Sequence, residues 1–170
     1  IFTAGTLVVW FIACVVDWQY AGFVFNQNDV QHFEVLTQLL KTFGLFFLFV
    51  ISGWFVSNLM NSSARLTDLA CITAVALIPY IVGILLHAGL SNVLTESEGS
   101  FLTILQVLLI VWSVIILLGG LKEVHEMSFM ATILSLIFTV IGILLILFLA
   151  LLVWSLCQNV VSFALQIADE

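Results

Sequence analysis

From Met127 to Ala168 the chain runs forty-two residues without an Asp, Glu, Lys, Arg or His. A helix rises about 1.5 Å per residue, so this stretch could cross a hydrocarbon layer of roughly 30 Å twice. Four shorter runs share its character: Ile1–Val16, Thr42–Ala64, Leu69–Thr95 (interrupted by Pro79 and His87) and Gly99–Leu121. Backbone groups in lipid must be satisfied within their own segment, and no strand-like alternation of apolar and polar residues is present. Each run is therefore expected to be a helix. The expected fold is all-α, an integral membrane five-helix bundle with a long C-terminal helix.

That bundle fills residues 1–170 as a single domain, with spans at about 1–17, 42–62, 68–94, 100–120 and 128–157. Only 8% of the chain is charged, against roughly 25% in an ordinary soluble domain. The longest polar stretch, Trp18 to Lys41 with Asp29, His32 and Glu34, is too short for a soluble catalytic domain. The opening at Ile1, already apolar and without a basic flank, is expected of a trimmed N-terminus rather than a signal peptide. Cys14, Cys71 and Cys157 stand singly, without metal-ligand or redox spacing, and are expected to be small buried packing residues.

The fifth run contains no Pro, and its one glycine, Gly142, lacks turn partners, so one long helix is expected. Past Leu156, Gln158, Asn159, Ser162 and Gln166 recur at helical spacing, with Val160, Val161, Phe163 and Leu165 elsewhere around the helix. Residues 158–168 therefore read as an amphipathic tail, at the interface or against a partner.

Only Lys41, Arg65 and Lys122 bear on orientation through basic charge. With the N-terminus inside, Arg65 and Lys122 fall in cytoplasmic loops. The outer face then carries Asp17, Asp29, Glu34, Glu96, Glu98, Asp169 and Glu170 against Lys41, a net of minus six. The inner face carries Asp68, Glu123 and Glu126 against Arg65 and Lys122, a net of minus one. The reverse arrangement would set the acidic face against an anionic leaflet. N-inside, C-outside is the expected orientation.

Small and polar residues fall on helical stripes: Ala131, Ser135, Thr139 and Gly142 on the fifth helix, Thr103, Gln106 and Ser113 on the fourth, Gly53 and Ser57 on the second. Such stripes are expected as packing seams, where helices approach closely and hydroxyls bond across the contact. A polar pathway is the alternative, with His87, Ser91, Asn92, Gln106 and Ser113 as its intramembrane lining. Pro79 removes a backbone bond inside the third span and is expected to kink it. His87 lies near the end of that span, where reaching water is the expected reading.

The densest chemistry is Lys122, Glu123, His125, Glu126 and Ser128, expected in a loop that Gly119 and Gly120 open by ending the fourth helix. His125-Glu126 is not a zinc-protease motif, because Phe129 stands where the second His would be. No Gly-x-Ser-x-Gly elbow accompanies it, and no phosphate-binding glycine loop occurs. Three basic residues are too few for nucleic acid. No catalytic residue, cofactor or metal is expected. Arg65, Asp68 and Gln158 join the Lys122–Ser128 cluster as candidate contacts for a partner.

Four blocks occur in order: Ala21-Gly22-Phe23-Val24-Phe25-Asn26, Ala76-Leu77-Ile78-Pro79-Tyr80, Leu90-Ser91-Asn92-Val93-Leu94-Thr95 and Gly120 through Ser128. With five spans, they resemble the Yip domain family of Ypt/Rab-interacting membrane proteins, in its bacterial branch, over almost the whole chain. The resemblance implies a five-helix membrane protein with a cytoplasmic N-terminus and no known catalytic activity. Eukaryotic relatives are linked to Rab GTPases and vesicle traffic. Bacterial relatives, many encoded beside ATP-driven transporters, suggest an accessory role. Asn61-Ser62-Ser63-Ala64-Arg65 departs from the acidic glycine-flanked turn usual in the bacterial pattern.

The function expected is that of a non-enzymatic accessory or scaffold subunit in the bacterial plasma membrane. Its partners would be membrane lipids and other integral membrane proteins, among them an ABC-transporter permease complex. The alternative is a small transporter or lipid-handling bundle. An odd number of spans without visible inverted repeats fits carriers poorly.

Overall fold

The structure is a computed structural model and describes residues 2–22, 34–60, 62, 64–125 and 128–168, without the side chains of residues 96 and 164–168. Among the described residues five α-helices follow one another: α1 (Phe2–Tyr20), α2 (Val35–Leu59), α3 (Leu66–Leu90), α4 (Gly99–His125) and α5 (Phe129–Ala168). A single 3₁₀ turn, Glu96–Glu98, joins α3 to α4. All five are long and apolar enough to cross a membrane.

The distribution of side chains identifies the solvent. Ser52, Ser57, Thr132, Ser135 and Thr139 are buried, whereas Phe55, Ile104, Ile115, Leu144 and Phe148 face outward. Water would favour the reverse. Hydrocarbon has no preference for hiding leucine, so close packing and interhelical hydrogen bonds decide the interior. The chain is a multi-pass integral membrane bundle.

α3 is the hub. It packs along α4 on one side and α1 on the other, and touches α2. Leu69, Ala74, Ile81 and Ile84 from α3 meet Leu7, Trp10 and Ala13 of α1, Phe46 and Val50 of α2 and Leu121 of α4 in one core. α5 takes α2 as its main partner. Ser52 Oγ donates to the Thr139 carbonyl at 2.7 Å across that seam. A Cβ on Gly142 would collide with Ser52 Oγ, and one on Gly53 would stand 3.7 Å from Thr139 Cγ2. The small residues of the second and fifth spans thus do act as a seam.

Several boundaries differ from the sequence reading. α2 begins at Val35 rather than near 42, because Leu36, Leu39 and Leu40 continue the apolar surface while Lys41 stays exposed. Lysine reaches water along its own stem and need not end a helix. α4 runs through Gly119 and Gly120 to His125. Gly120 lies against Ile72, where an added Cβ would stand 2.5 Å from Cγ2, so this glycine serves close approach rather than termination. α3 is unbroken through Pro79, and α5 is a single helix over residues that include both the fifth span and the tail. Cys71 and Cys157 are exposed rather than buried, and only Cys14 is half-buried.

The connection after α1 is fixed by backbone contact. Gly22 N–H donates to Ser91 Oγ at 2.8 Å, and a Cβ on Gly22 would collide with the Ser91 carbonyl. Gly22→Ala is expected to destabilise the bundle by about 1–3 kcal/mol, the usual cost of forcing atoms into a filled site. Gly44→Ala is the control, since nothing stands within 4 Å of its Cβ position. Thermal unfolding of both variants in detergent should lower the midpoint for Gly22→Ala alone.

Candidate functional site

Polar chemistry gathers at the two ends of the bundle. At the first, α1 and α3 finish side by side. His87 Nδ1 lies 2.7 Å from Asp17 Oδ1, with 17% of the His87 side chain and 27% of the Asp17 side chain exposed. The carboxylate only accepts, so Nδ1 carries the shared proton. Asn92 Nδ2 donates to the Tyr20 carbonyl at 2.7 Å and to the Ala88 carbonyl at 2.8 Å. Ser91 Oγ receives Gly22 N–H and donates to the Ala88 carbonyl at 3.1 Å. His87, Ser91 and Asn92 together tie the last turn of α3 to the exit of α1. His87 is thus paired rather than merely reaching water.

At the other end, α2, α4 and α5 meet. Ser57 Oγ lies 2.7 Å from His125 Nε2 and 2.7 Å from the Gly53 carbonyl. Ser57 is fully buried and His125 is 6% exposed. The hydroxyl owns one proton. With it on the Gly53 carbonyl, His125 must donate from Nε2, which leaves Nδ1 as a bare acceptor. Nδ1 is buried and has no partner among the described residues. Both side chains are buried among the described residues, and their contact clamps α2 to α4.

The rest of the expected loop is helical. Lys122 and Glu123 lie exposed in the last turns of α4, and Glu126 falls outside the described residues. Ser128 caps α5: its Oγ accepts from Ala131 N–H at 3.4 Å, and its carbonyl accepts from Thr132 N–H at 3.0 Å. Arg65 is the N-cap residue of α3, with its carbonyl taking Asp68 and Leu69 N–H; Asp68 sits in the first turn, where negative charge suits the helix N-terminus. Lys122, Glu123, Arg65 and Asp68 therefore share the Ser57–His125 end and leave charged groups on its surface.

The intramembrane lining does not come together as a path. His87, Ser91 and Asn92 close the far end of α3, Gln106 is half-buried, and the Thr103 hydroxyl is spent on the Gly99 carbonyl at 3.2 Å. Ser113 lines an apolar cavity with Trp10, Phe46 and Phe49. Among the described residues no three His, Cys, Asp or Glu side chains gather as metal ligands.

α5 outruns the bundle. Every described residue from Leu147 to Phe163 is exposed. Ser155, Gln158, Asn159 and Ser162 lie on one face of that stretch, at i, i+3, i+4 and i+7.

Two pairings escape the sequence. Asp17 is legible there only as charge on the outer face, and Ser57 only as a seam residue. The expected topology places Asp17 and His87 at one bundle end, and Ser57 and His125 at the other, which is the available signal.

A model of the Yip1 domain matches residues 1–156. No curated protein and no solved structure matches the chain. The matched region takes in α1 to α4 and α5 as far as Leu156, with the Asp17–His87 tie and the Ser57–His125 clamp, and it ends within the polar face, between Ser155 and Gln158. A bundle of five apolar helices, matched by the family model over that much of its length, belongs to the Yip1 domain family.

Proposed function

We propose that this protein is a non-catalytic accessory subunit that holds other integral membrane proteins, and that α5 is the arm that does so. The observation that carries this is the exposed length from Leu147 to Phe163 with its polar face. A forty-residue helix is about 60 Å long, twice a hydrocarbon layer. Standing upright, it would lift Leu156, Val160 and Val161 into water. Tilted to keep them in lipid, it would leave Gln158 and Asn159 in hydrocarbon, where unpaired amides are costly. A partner helix with both apolar and hydrogen-bonding side chains relieves either strain.

Lys122, Glu123, Arg65 and Asp68 offer the same partner a charged contact at the Ser57–His125 end. A transporter permease in a bacterial plasma membrane is the partner class we favour. The acidic excess at the Asp17–His87 end supports an N-inside, C-outside orientation.

Isolation of the full chain from its own membrane in mild detergent tests this. A membrane protein should accompany it at fixed stoichiometry. The triple variant Ser155→Leu, Gln158→Leu, Ser162→Leu should reduce that recovery at least tenfold, about 1.4 kcal/mol. A monomeric protein in several mild detergents, or full recovery with the triple variant, would overturn the reading.

A further inference from the structure

α2 and α4 touch at the Ser57–His125 clamp and, among the described residues, make little other contact. Between them lies a cavity of about 210 Å³, floored by α3 and backed by Trp10 of α1. Leu45 on α2 and Val114 on α4 line it and are also exposed, so they form its rim. The mouth opens sideways, into the bilayer.

The walls keep polar atoms out even where the sequence supplies them. Trp10, Thr73 and Ser113 are the lining residues with a polar side-chain atom. Thr73 Oγ1 donates to the Leu69 carbonyl at 2.7 Å, the usual refuge for a hydroxyl in a membrane helix. Trp10 Nε1 and Ser113 Oγ are buried with almost no accessible surface, so neither faces the space. What the space meets is hydrocarbon, from Phe46, Phe49, Ala76 and Leu117 among others. A water there would find no partner, and an amide, an ester or a headgroup would be stranded.

Depth and size select the occupant. Phe46, Ala76 and Val114 each stand ten residues or more from either end of their helices, a rise of about 15 Å. The tails of one leaflet fill half of a hydrocarbon core of roughly 30 Å, so their ends reach this level. An apolar cavity of about 150 Å³ holds a benzene molecule, and at that density this one has room for roughly eight carbons. Left empty, its walls would forfeit dispersion contacts. We propose that this cavity binds the terminal segment of one acyl chain of a bilayer phospholipid. The tail enters between α2 and α4 and supplies the packing that those helices do not give each other. The cavity is lined by α1 to α4, so this inference stands apart from the α5 arm.

Trp10 reports the occupant, because its ring is a cavity wall and is otherwise nine-tenths buried. The test uses the full chain with Trp18, Trp54, Trp112 and Trp154 changed to Phe, reconstituted in phosphatidylcholine that carries bromine near the end of one chain. Bromine there should quench Trp10 fluorescence at least twice as strongly as bromine placed close to the ester. Ala76→Phe, which fills the floor, and Val114→Phe, which narrows the mouth, should each cut that quenching at least twofold. Ile115→Phe, exposed on α4 and outside the lining, should leave it unchanged. Val114 already faces lipid, so Val114→Phe keeps the test valid if Ala76→Phe misfolds. Equal quenching by the two lipids, or indifference to Val114→Phe, would overturn the proposal. Quenching that falls as the protein-to-lipid ratio rises would seat a second copy in the gap, and would overturn it as well.

Discussion

Replacing Ser57 with leucine is expected to unfold a large part of the population, with a loss of about 3 kcal/mol. Ser57 has no exposed surface and touches both its own helix and His125. The two extra heavy atoms of leucine overpack a filled seam, at about 1–3 kcal/mol. The lost hydrogen bond adds roughly 0.6–1.7 kcal/mol, the range for interhelical bonds inside bundles. Ser57→Ala isolates the second contribution, and should cost about 1 kcal/mol by leaving His125 Nε2 unpaired. Combining Ser57→Ala with His125→Leu removes both polar groups and should recover part of that loss. Reversible unfolding in mixed micelles reads these variants and His125→Leu alone, and additivity of Ser57→Ala and His125→Leu in the double variant would deny the clamp.

Asp17→Leu is expected to have the next largest effect, about 1.5–3 kcal/mol, because it strands a partly buried imidazole that had a charged partner at 2.7 Å. His87→Leu strands the carboxylate instead, and should cost at least as much in a setting poor in water. The double variant Asp17→Leu, His87→Leu should be more stable than either single one, since two apolar side chains suit lipid and each other. The same micelle assay applies. A double variant as damaged as the sum of the two would mean that the groups do not interact.

Both predictions rest on long-range pairs, and this is where sequence legibility ended. The helices themselves were legible because lipid imposes one rule, internally satisfied backbone over about twenty apolar residues, and five runs obey it. The seam residues Ser135, Thr139, Gly142, Gly53 and Ser57 were legible as well, since small side chains at helical spacing have few other uses in a membrane. What the runs could not show was where a helix stops when a lysine stem or a close-packed glycine permits it to continue. Lys41 and Gly120 are the two cases.

Pairing was harder still. Membrane helices do not announce their neighbours through an apolar face, because nearly every face is apolar. Choosing α3 as hub, or α5 as companion to α2, needs three-dimensional complementarity such as Gly142 against Ser52. The apolar cavity that Trp10 and Ser113 help to line was invisible for the same reason, since neither residue carries a motif.

The claim beneath all of this is that five crossings put successive loops on alternate sides of a membrane. Single cysteines introduced at Thr67, Lys122, Glu34 and Ser97, all exposed, in a chain with Cys14, Cys71 and Cys157 changed to serine, can be labelled with a membrane-impermeant maleimide on intact cells. Glu34→Cys and Ser97→Cys should share one accessibility, and Thr67→Cys and Lys122→Cys the opposite one until the membrane is breached. Labelling of Thr67→Cys and Ser97→Cys from the same side would contradict the fold.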